Sequence, residues 1–300
     1  MSYTRREFMK TGVVVLGATA AGERLASGLR NGGSEAHAAQ PAPVYEIYAL
    51  KYAGPFTSSL AMLLWNEGWN ETIERNYYIW VIKGKDENII VDTGTGVTTA
   101  EQRKLKGYVN PVDVLARIGV NGDNVKKVII THIHFDHVGG IEMFPDAFPK
   151  ARFYVQKKEF DFWTKNPIAK RAPFKGITDA GANRKVASMA GSGRLVIVDG
   201  DRKIMPGIEL LLAPGHTIGL QAVAVNTAKG TAIAASDCAH IARSFKDDIP
   251  SCLITDIIVW MKSYDKLRAR ASSIDLIFPG HDAKMLSDYP KVAEDVTRLV

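Results

Sequence analysis

Three of the chain's seven histidines fall within six residues, in Thr131-His132-Ile133-His134-Phe135-Asp136-His137. Imidazole nitrogen and carboxylate oxygen are donors that hold zinc and other borderline divalent ions. In extended backbone His132 and His134 point to one side, so both can reach one ion. A helix beginning just after them turns Asp136 and His137 toward a second position. A solvated polar turn has no use for ligand-type side chains at this density, and a metal centre is the chemistry they predict. Three further segments share one local plan, a β-type run followed at once by a ligand-type residue: Pro214-Gly215-His216-Thr217, Ser236-Asp237 and Pro279-Gly280-His281-Asp282. A single Gly-His in a loop carries little. Together these segments bring every candidate ligand to the same end of a strand, where loops gather into sites.

The positioning elements are read from apolar patterning. Residues 77–81 and 88–91 form a predicted hairpin around a turn at 84–87. Asn110-Pro111 opens a short helix with Val112, Leu115 and Ile118 on one face and Gly119 at its end. Strands are expected at 125–131, 152–156, 195–198, 208–213, 220–226, 231–236 and 274–278. An amphipathic helix over 253–270 carries Leu253, Ile257, Met261, Tyr264 and Leu267 on one stripe. A final helix is expected near Val292. Residues 160–192 are rich in Lys, Ala and Gly, and are read as a helical insertion or a long connection of the kind that forms lids. The apolar stretch Leu60, Met62, Leu63, Leu64, Trp65 and Trp69, and the aromatic group Phe160, Phe162, Trp163 and Phe174, either pack the core or line an apolar pocket.

Composition narrows the classes. With 46% hydrophobic and 23% charged residues, 300 residues suit a folded chain of one or two domains. Two cysteines exclude a disulfide-stapled scaffold, although an oxidising compartment would permit a Cys238–Cys252 bond. The chain opens Thr4-Arg5-Arg6-Glu7-Phe8-Met9-Lys10, followed by an apolar run and a small-residue exit at Ala36-His37-Ala38. That order resembles a twin-arginine export signal, read by a receptor and not a membrane anchor. Residues 1–38 are therefore expected to be a leader, residues 39–300 one domain, and the location periplasmic. Five of the 38 basic and three of the 32 acidic residues lie in that leader, so the net charge of +6 falls to +4 without it. So modest a bias predicts no nucleic-acid partner. There is no Gly-x-Ser-x-Gly elbow and no phosphate-binding glycine loop.

The full constellation resembles the metallo-β-lactamase superfamily, over roughly residues 45–285, with Val91-Asp92-Thr93-Gly94 fitting the family's early Asp motif. The resemblance implies an α+β fold, an αββα sandwich in a single domain, with two metals in an edge cleft. His132, His134 and His216 would hold the first metal. Asp136, His137 and His281 would hold the second, and Asp237 would bridge both. Asp92 would orient ligands or the metal-bound water. Two zinc ions are the expected cofactor, with iron, cobalt or manganese fitting the same donors. The implied chemistry is hydrolysis by a dimetal-bridging hydroxide, with Asp136 also accepting a proton.

Within the superfamily, the motifs look most like the N-acyl-homoserine lactonase group, whose members open a lactone ester on a small-molecule substrate. One position departs from it. Three residues after the bridging Asp, where those lactonases typically carry tyrosine, stands His240, a side chain able to give a hydrogen bond or a proton to the leaving alkoxide. The alternatives are hydrolysis of another bond on the same site (β-lactam, thioester or sulfate ester) or an iron-dependent redox role.

Overall fold

The computed structural model describes residues 42–300, and the leader expected over 1–38 lies outside them. Among the described residues the strands build two sheets. The larger runs β12 (Lys291–Ala293), β13 (Val296–Arg298), β1 (Glu46–Ser59), β2 (Thr72–Lys83), β3 (Asn88–Val91), β4 (Val125–Ile129), β5 (Arg152–Gln156), β6 (Leu195–Val198). The smaller runs β11 (Ile277–Pro279), β10 (Gly230–Ser236), β9 (Gln221–Thr227), β8 (Ile208–Leu212), β7 (Arg202–Met205). The helices that matter for the site are α1 (Pro111–Ala116), α2 (Phe135–Val138), α3 (Lys157–Lys165), α4 (Ala172–Lys175), α5 (Ala180–Met189) and α6 (Ile257–Arg270).

Strand alternation sorts the side chains into three cores. On β1, Ile47 and Ala49 face the smaller sheet while Tyr48, Leu50 and Tyr52 face the helices outside. On β9, Val223 and Val225 enter the space between the sheets, and Ala222 and Ala224 pack outward beneath Trp260, Tyr264 and Leu267 of α6. A sheet-on-sheet core with a helix-covered core on either face is the αββα sandwich. The 160–192 stretch folds as α3, α4 and α5 with a short 3-10 turn, and Ala182, Val186 and Met189 of α5 enter the outer core of the larger sheet.

Strand direction is what makes a site. β3, β4, β5 and β6 are mutually parallel, so the segments after β3, β4 and β5 leave from one edge. In the smaller sheet β8 and β10 both oppose β9, and β11 is parallel to β10, so the segments after all three also leave together.

Several expectations need correction. No helix forms near Val292: β12 and β13 pair there as an antiparallel hairpin, and β13 extends the sheet beside β1. Asp295, at a positive φ of 59°, makes the turn and buries Val296. The helix expected from 253 begins at Ile257, where the Asp256 side chain caps it by accepting from the Val259 amide. Strand β1 stands outside the predicted elements; register shifts on either side of Ala53 absorb Gly54-Pro55 within the strand. Cys238 and Cys252 form no disulfide: Cys238 is buried behind Asp237 while Cys252 is exposed, and both are free thiols.

Candidate active site

The two strand edges meet at a nest of buried side chains. His132, His134, Asp136 and His137 follow β4, His216 follows β8, Asp237 and His240 follow β10, and His281 follows β11. All are less than one tenth exposed. Thus each ligand-type residue read from the sequence comes to one place, with His240 among them.

Local structure explains the delivery. After β4 the chain stays extended through His134 (φ −97°, ψ 156°), then turns into α2, swinging Asp136 and His137 to a different side from the preceding pair. Gly215 precedes His216 at φ +140°, where an added Cβ would lie 2.2 Å from Cβ of Trp260. Only glycine lets the loop close onto α6 and aim His216 inward. Gly280 has the same function before His281, since a Cβ there would lie 2.2 Å from Oδ1 of Asp237.

Two clusters are resolved. In the first, Nδ1 of His134 lies 3.2 Å from Nε2 of His132 and 3.1 Å from Nε2 of His216. In the second, Nε2 of His281 lies 3.7 Å from Oδ2 of Asp136 and 3.0 Å from Oδ1 of Asp237. Nε2 of His137 lies 3.8 Å and 3.3 Å from the same two oxygens. Asp237 joins the clusters, because its other oxygen, Oδ2, lies 3.3 Å from Nε2 of His216 and 3.8 Å from Nε2 of His132.

At the second cluster two of these atoms are close without bonding. Nε2 of His137 and Oδ1 of Asp237 are 3.3 Å apart, yet both are buried without a hydrogen-bond partner. A tetrahedral zinc with bonds of about 2.0–2.1 Å separates its donors by about 3.3 Å, close to the spacing seen in the first cluster. Burial, then the neighbouring His137, pushes His132 well below the usual histidine range, and burial with His216 does the same to His134. Neutral imidazoles with converging lone pairs are poor company for each other and good ligands for a cation. In the second cluster burial opposes charge on His137, but Asp237, Asp136 and Asp92 outweigh it and hold that imidazole well above its ordinary value. The proton there occupies a place suited to a divalent cation. The donor set therefore fits two metal ions.

The outer partners fix each ring. Nδ1 of His216 donates to the Leu253 carbonyl at 2.9 Å, and Nδ1 of His281 donates to the Asn76 carbonyl at 2.9 Å. Nδ1 of His137 lies 2.8 Å from Oδ2 of Asp92, which also accepts from the Thr131 hydroxyl at 2.8 Å, while Oδ1 of Asp92 accepts from the Thr131 amide at 2.7 Å. Such carboxylate and carbonyl partners leave Nε2 free to ligate. His240 differs: its Nε2 lies 3.3 Å from Oδ2 of Asp237, but its buried Nδ1 has no partner among the described residues. Burial pushes His240 well below the usual range against the pull of Asp237, so this ring is neutral.

One residue escaped the sequence reading. Glu159, fully buried on α3, accepts from the Ile133 amide (2.9 Å) and Nε1 of Trp163 (2.6 Å) through Oε1. Through Oε2 it accepts from the Thr217 hydroxyl (2.8 Å) and the Gly219 amide (2.9 Å). It ties the loop bearing His134 to the loop bearing His216. Burial still pushes its carboxyl up despite these four donors. A lone Glu in a Lys-rich segment gives no sequence sign of this.

A cavity of about 230 Å³ opens beside His134 and His216, lined by Phe162, Trp163, Phe174 and Leu253. It shares Phe162, Phe174 and Ile254 with an adjoining space of about 530 Å³. Phe160, by contrast, packs in the core. Of the earlier apolar stretch, Leu60, Leu63 and Leu64 pack with Ile241, while Met62, Trp65 and Trp69 are exposed. A separate cavity of about 620 Å³ lies against β7 and β8 and is lined by none of the clustered histidines.

Comparison with known proteins agrees with this geometry. The sequence profile of the metallo-beta-lactamase superfamily matches residues 73–281. An N-acyl homoserine lactonase of Bacillus thuringiensis is 26% identical over 192 residues, covering 58% of this chain and 69% of its own. An acyl-coenzyme A thioesterase of Homo sapiens is 25% identical over 151 residues, covering 47% of this chain and 51% of its own. Among solved structures, a quorum-quenching N-acyl homoserine lactone lactonase superposes with a TM-score of 0.67 at 21% identity, over 84% of this chain and 98% of that one. A dizinc quorum-quenching lactonase superposes at 0.64 and 19% identity, over 81% and 90%. With the profile spanning both clusters, the chain belongs to the metallo-beta-lactamase superfamily.

Proposed function

We propose that this protein is a dimetal hydrolase that opens a lactone, of the N-acyl-homoserine type or a related ester. The observation that carries the reading is the pair of buried ligand clusters sharing Asp237. Zinc is the proposed ion, two per chain, with His132, His134 and His216 at one position and Asp136, His137 and His281 at the other. Bound there, two divalent ions supply Lewis acidity and a water of lowered pKa at neutral pH.

The chain's own groups do the rest. Asp136 stands at the cleft with room to take a proton from the attacking water as its oxygen bonds to the acyl carbon. The same carboxyl returns that proton to the ring oxygen as the C–O bond breaks, giving a hydroxy acid. His240, neutral and adjacent to Asp237, offers the departing oxygen a hydrogen bond in preference to a proton. Asp92, Thr131 and Glu159 hold the ligating loops in place. The aromatic cavity beside His134 and His216 suits an apolar acyl chain or ring. We further propose that residues 1–38 direct twin-arginine-type export to the periplasm; a reporter fused to that segment should be exported only while Arg5 and Arg6 are intact.

A proton-release screen over homoserine lactones, other lactones, aryl esters and thioesters tests the reaction, alongside metal analysis. About two zinc ions per chain and turnover of a lactone are expected. Turnover of thioesters with no lactone opened would favour the second reading, to which the thioesterase relative lends support. Iron in place of zinc, with oxygen consumption, would refute both.

A further inference from the structure

β2 carries a side chain that the ligand inventory leaves out. The Asn76 amide donates to the His281 carbonyl at 3.0 Å, and His281 returns a bond from Nδ1 to the Asn76 carbonyl. This double fastening pins the next residue, Tyr77, against the second cluster. Its ring lies edge-on to His281 with centroids 5.3 Å apart and edge-on to Phe135 at 5.9 Å. Phe56 and Tyr52 close its other sides at 4.8 and 6.0 Å.

Its hydroxyl is placed unlike those of its neighbours. Tyr52 donates to the Asp136 carbonyl, Tyr78 to the Asp282 carbonyl and Tyr108 to the Thr95 carbonyl. Tyr77 donates to no acceptor among the described residues. Its ring is buried, yet the hydroxyl keeps access to solvent. The Arg75 guanidinium lies 4.9 Å from the ring centroid, held by a 2.7 Å bond from Nε to the Ser58 hydroxyl. Among the described residues Arg75 has no carboxylate partner, so its charge is available to the cleft.

We propose that Tyr77 is a catalytic residue: its hydroxyl, backed by Arg75, donates a hydrogen bond to the carbonyl oxygen of the bound ester, while His240 faces the leaving oxygen. The inference rests on the ester-hydrolase reading above. The carbonyl oxygen gathers the fuller negative charge as the acyl carbon becomes tetrahedral, and a rigid donor with a cation behind it is the better partner for that charge. His240 also packs against His281, at a centroid distance of 5.4 Å.

The test is Tyr77→Phe, which keeps the ring and removes only the hydroxyl, assayed on a lactone and on a 4-nitrophenyl ester of the same acid. A carbonyl donor predicts a loss in kcat of about 100-fold on both substrates, with KM, metal content and melting temperature unchanged. Arg75→Gln should lose about 10-fold in kcat by the same route, while Arg75→Lys should restore most of it. A loss confined to the lactone would mean that the phenol serves the leaving oxygen, and would overturn the assignment. Unchanged kcat on both, or a loss that follows metal content, would overturn it too. If the wild-type protein opens no lactone and cleaves no ester, the hydrolase reading itself has failed and this proposal with it.

Discussion

Replacing Glu159 by Gln isolates the contribution of one buried carboxylate to the metal centre. The four donors that meet it divide as two per oxygen: Ile133 and Trp163 on Oε1, Thr217 and Gly219 on Oε2. An amide offers one oxygen and one NH2. Turned with its oxygen to Ile133 and Trp163, it sets NH2 against the Thr217 hydroxyl, which can rotate to accept, and against the Gly219 amide, which cannot. One buried N–H is left unmet, at about 1–3 kcal/mol, and the remaining bonds lose their charge assistance. Relief of a buried charge offsets part of this, since burial already raises the Glu159 carboxyl. The expected net loss is about 2 kcal/mol by urea unfolding of the metal-free protein. Because the loops held together carry His134 and His216, competition with a chromophoric chelator should show the ion at that position losing about 10- to 100-fold in affinity. A Gln variant within about 0.5 kcal/mol of wild type, and with unaltered metal affinity, would refute the reasoning.

Three further outcomes are expected. Gly215→Ala forces a methyl into Trp260 and should cost about 3 kcal/mol in chemical denaturation, with loss of bound metal, since His216 moves with it. Asp237→Ala should bring metal content from about two ions to below one in elemental analysis, because both clusters lose a donor at once; retention of two would refute the shared role. Asp295 lies 2.7 Å from Lys51 and 3.1 Å from Arg117. Burial works against its charge, but these cations win and hold its pKa below 3.8. A depressed carboxyl stabilises the fold above its unfolded pKa and loses that contribution as pH falls through the folded value. The melting temperature of Asp295→Asn should therefore trail wild type near neutrality, and the gap should close as pH falls below 3.8.

The candidate ligands were legible because metal chemistry restricts residue type and spacing so tightly. His132 and His134 alternate on extended backbone, and glycine precedes both His216 and His281 for a steric reason visible in the loops themselves. Strands with continuous apolar runs, such as β3 and β9, were also plain. Hidden features depend on partners distant in sequence. β1 carries Gly54-Pro55 within it and pairs with β2 on one side and β13 on the other. Edge strand β7 is polar along half its length, and the terminal hairpin is too short to carry a pattern. Glu159 and Tyr77 depend on groups far along the chain, such as the Ile133 amide 26 positions before Glu159 and the His281 ring 204 positions after Tyr77, which no local window contains.

Each cluster draws donors from both sheets, the β4 segment on one side and the segments after β8, β10 and β11 on the other. An ion at either position is then a latch across the sandwich as well as a reagent. Pulling the sheets apart requires breaking metal–ligand bonds, so the lifetime of the folded protein should follow the rate at which its ions depart. Chelation would shorten that lifetime even where the folded state remains the more stable one. In a setting with proteases and scarce zinc, survival of the chain and its activity would then rise and fall together.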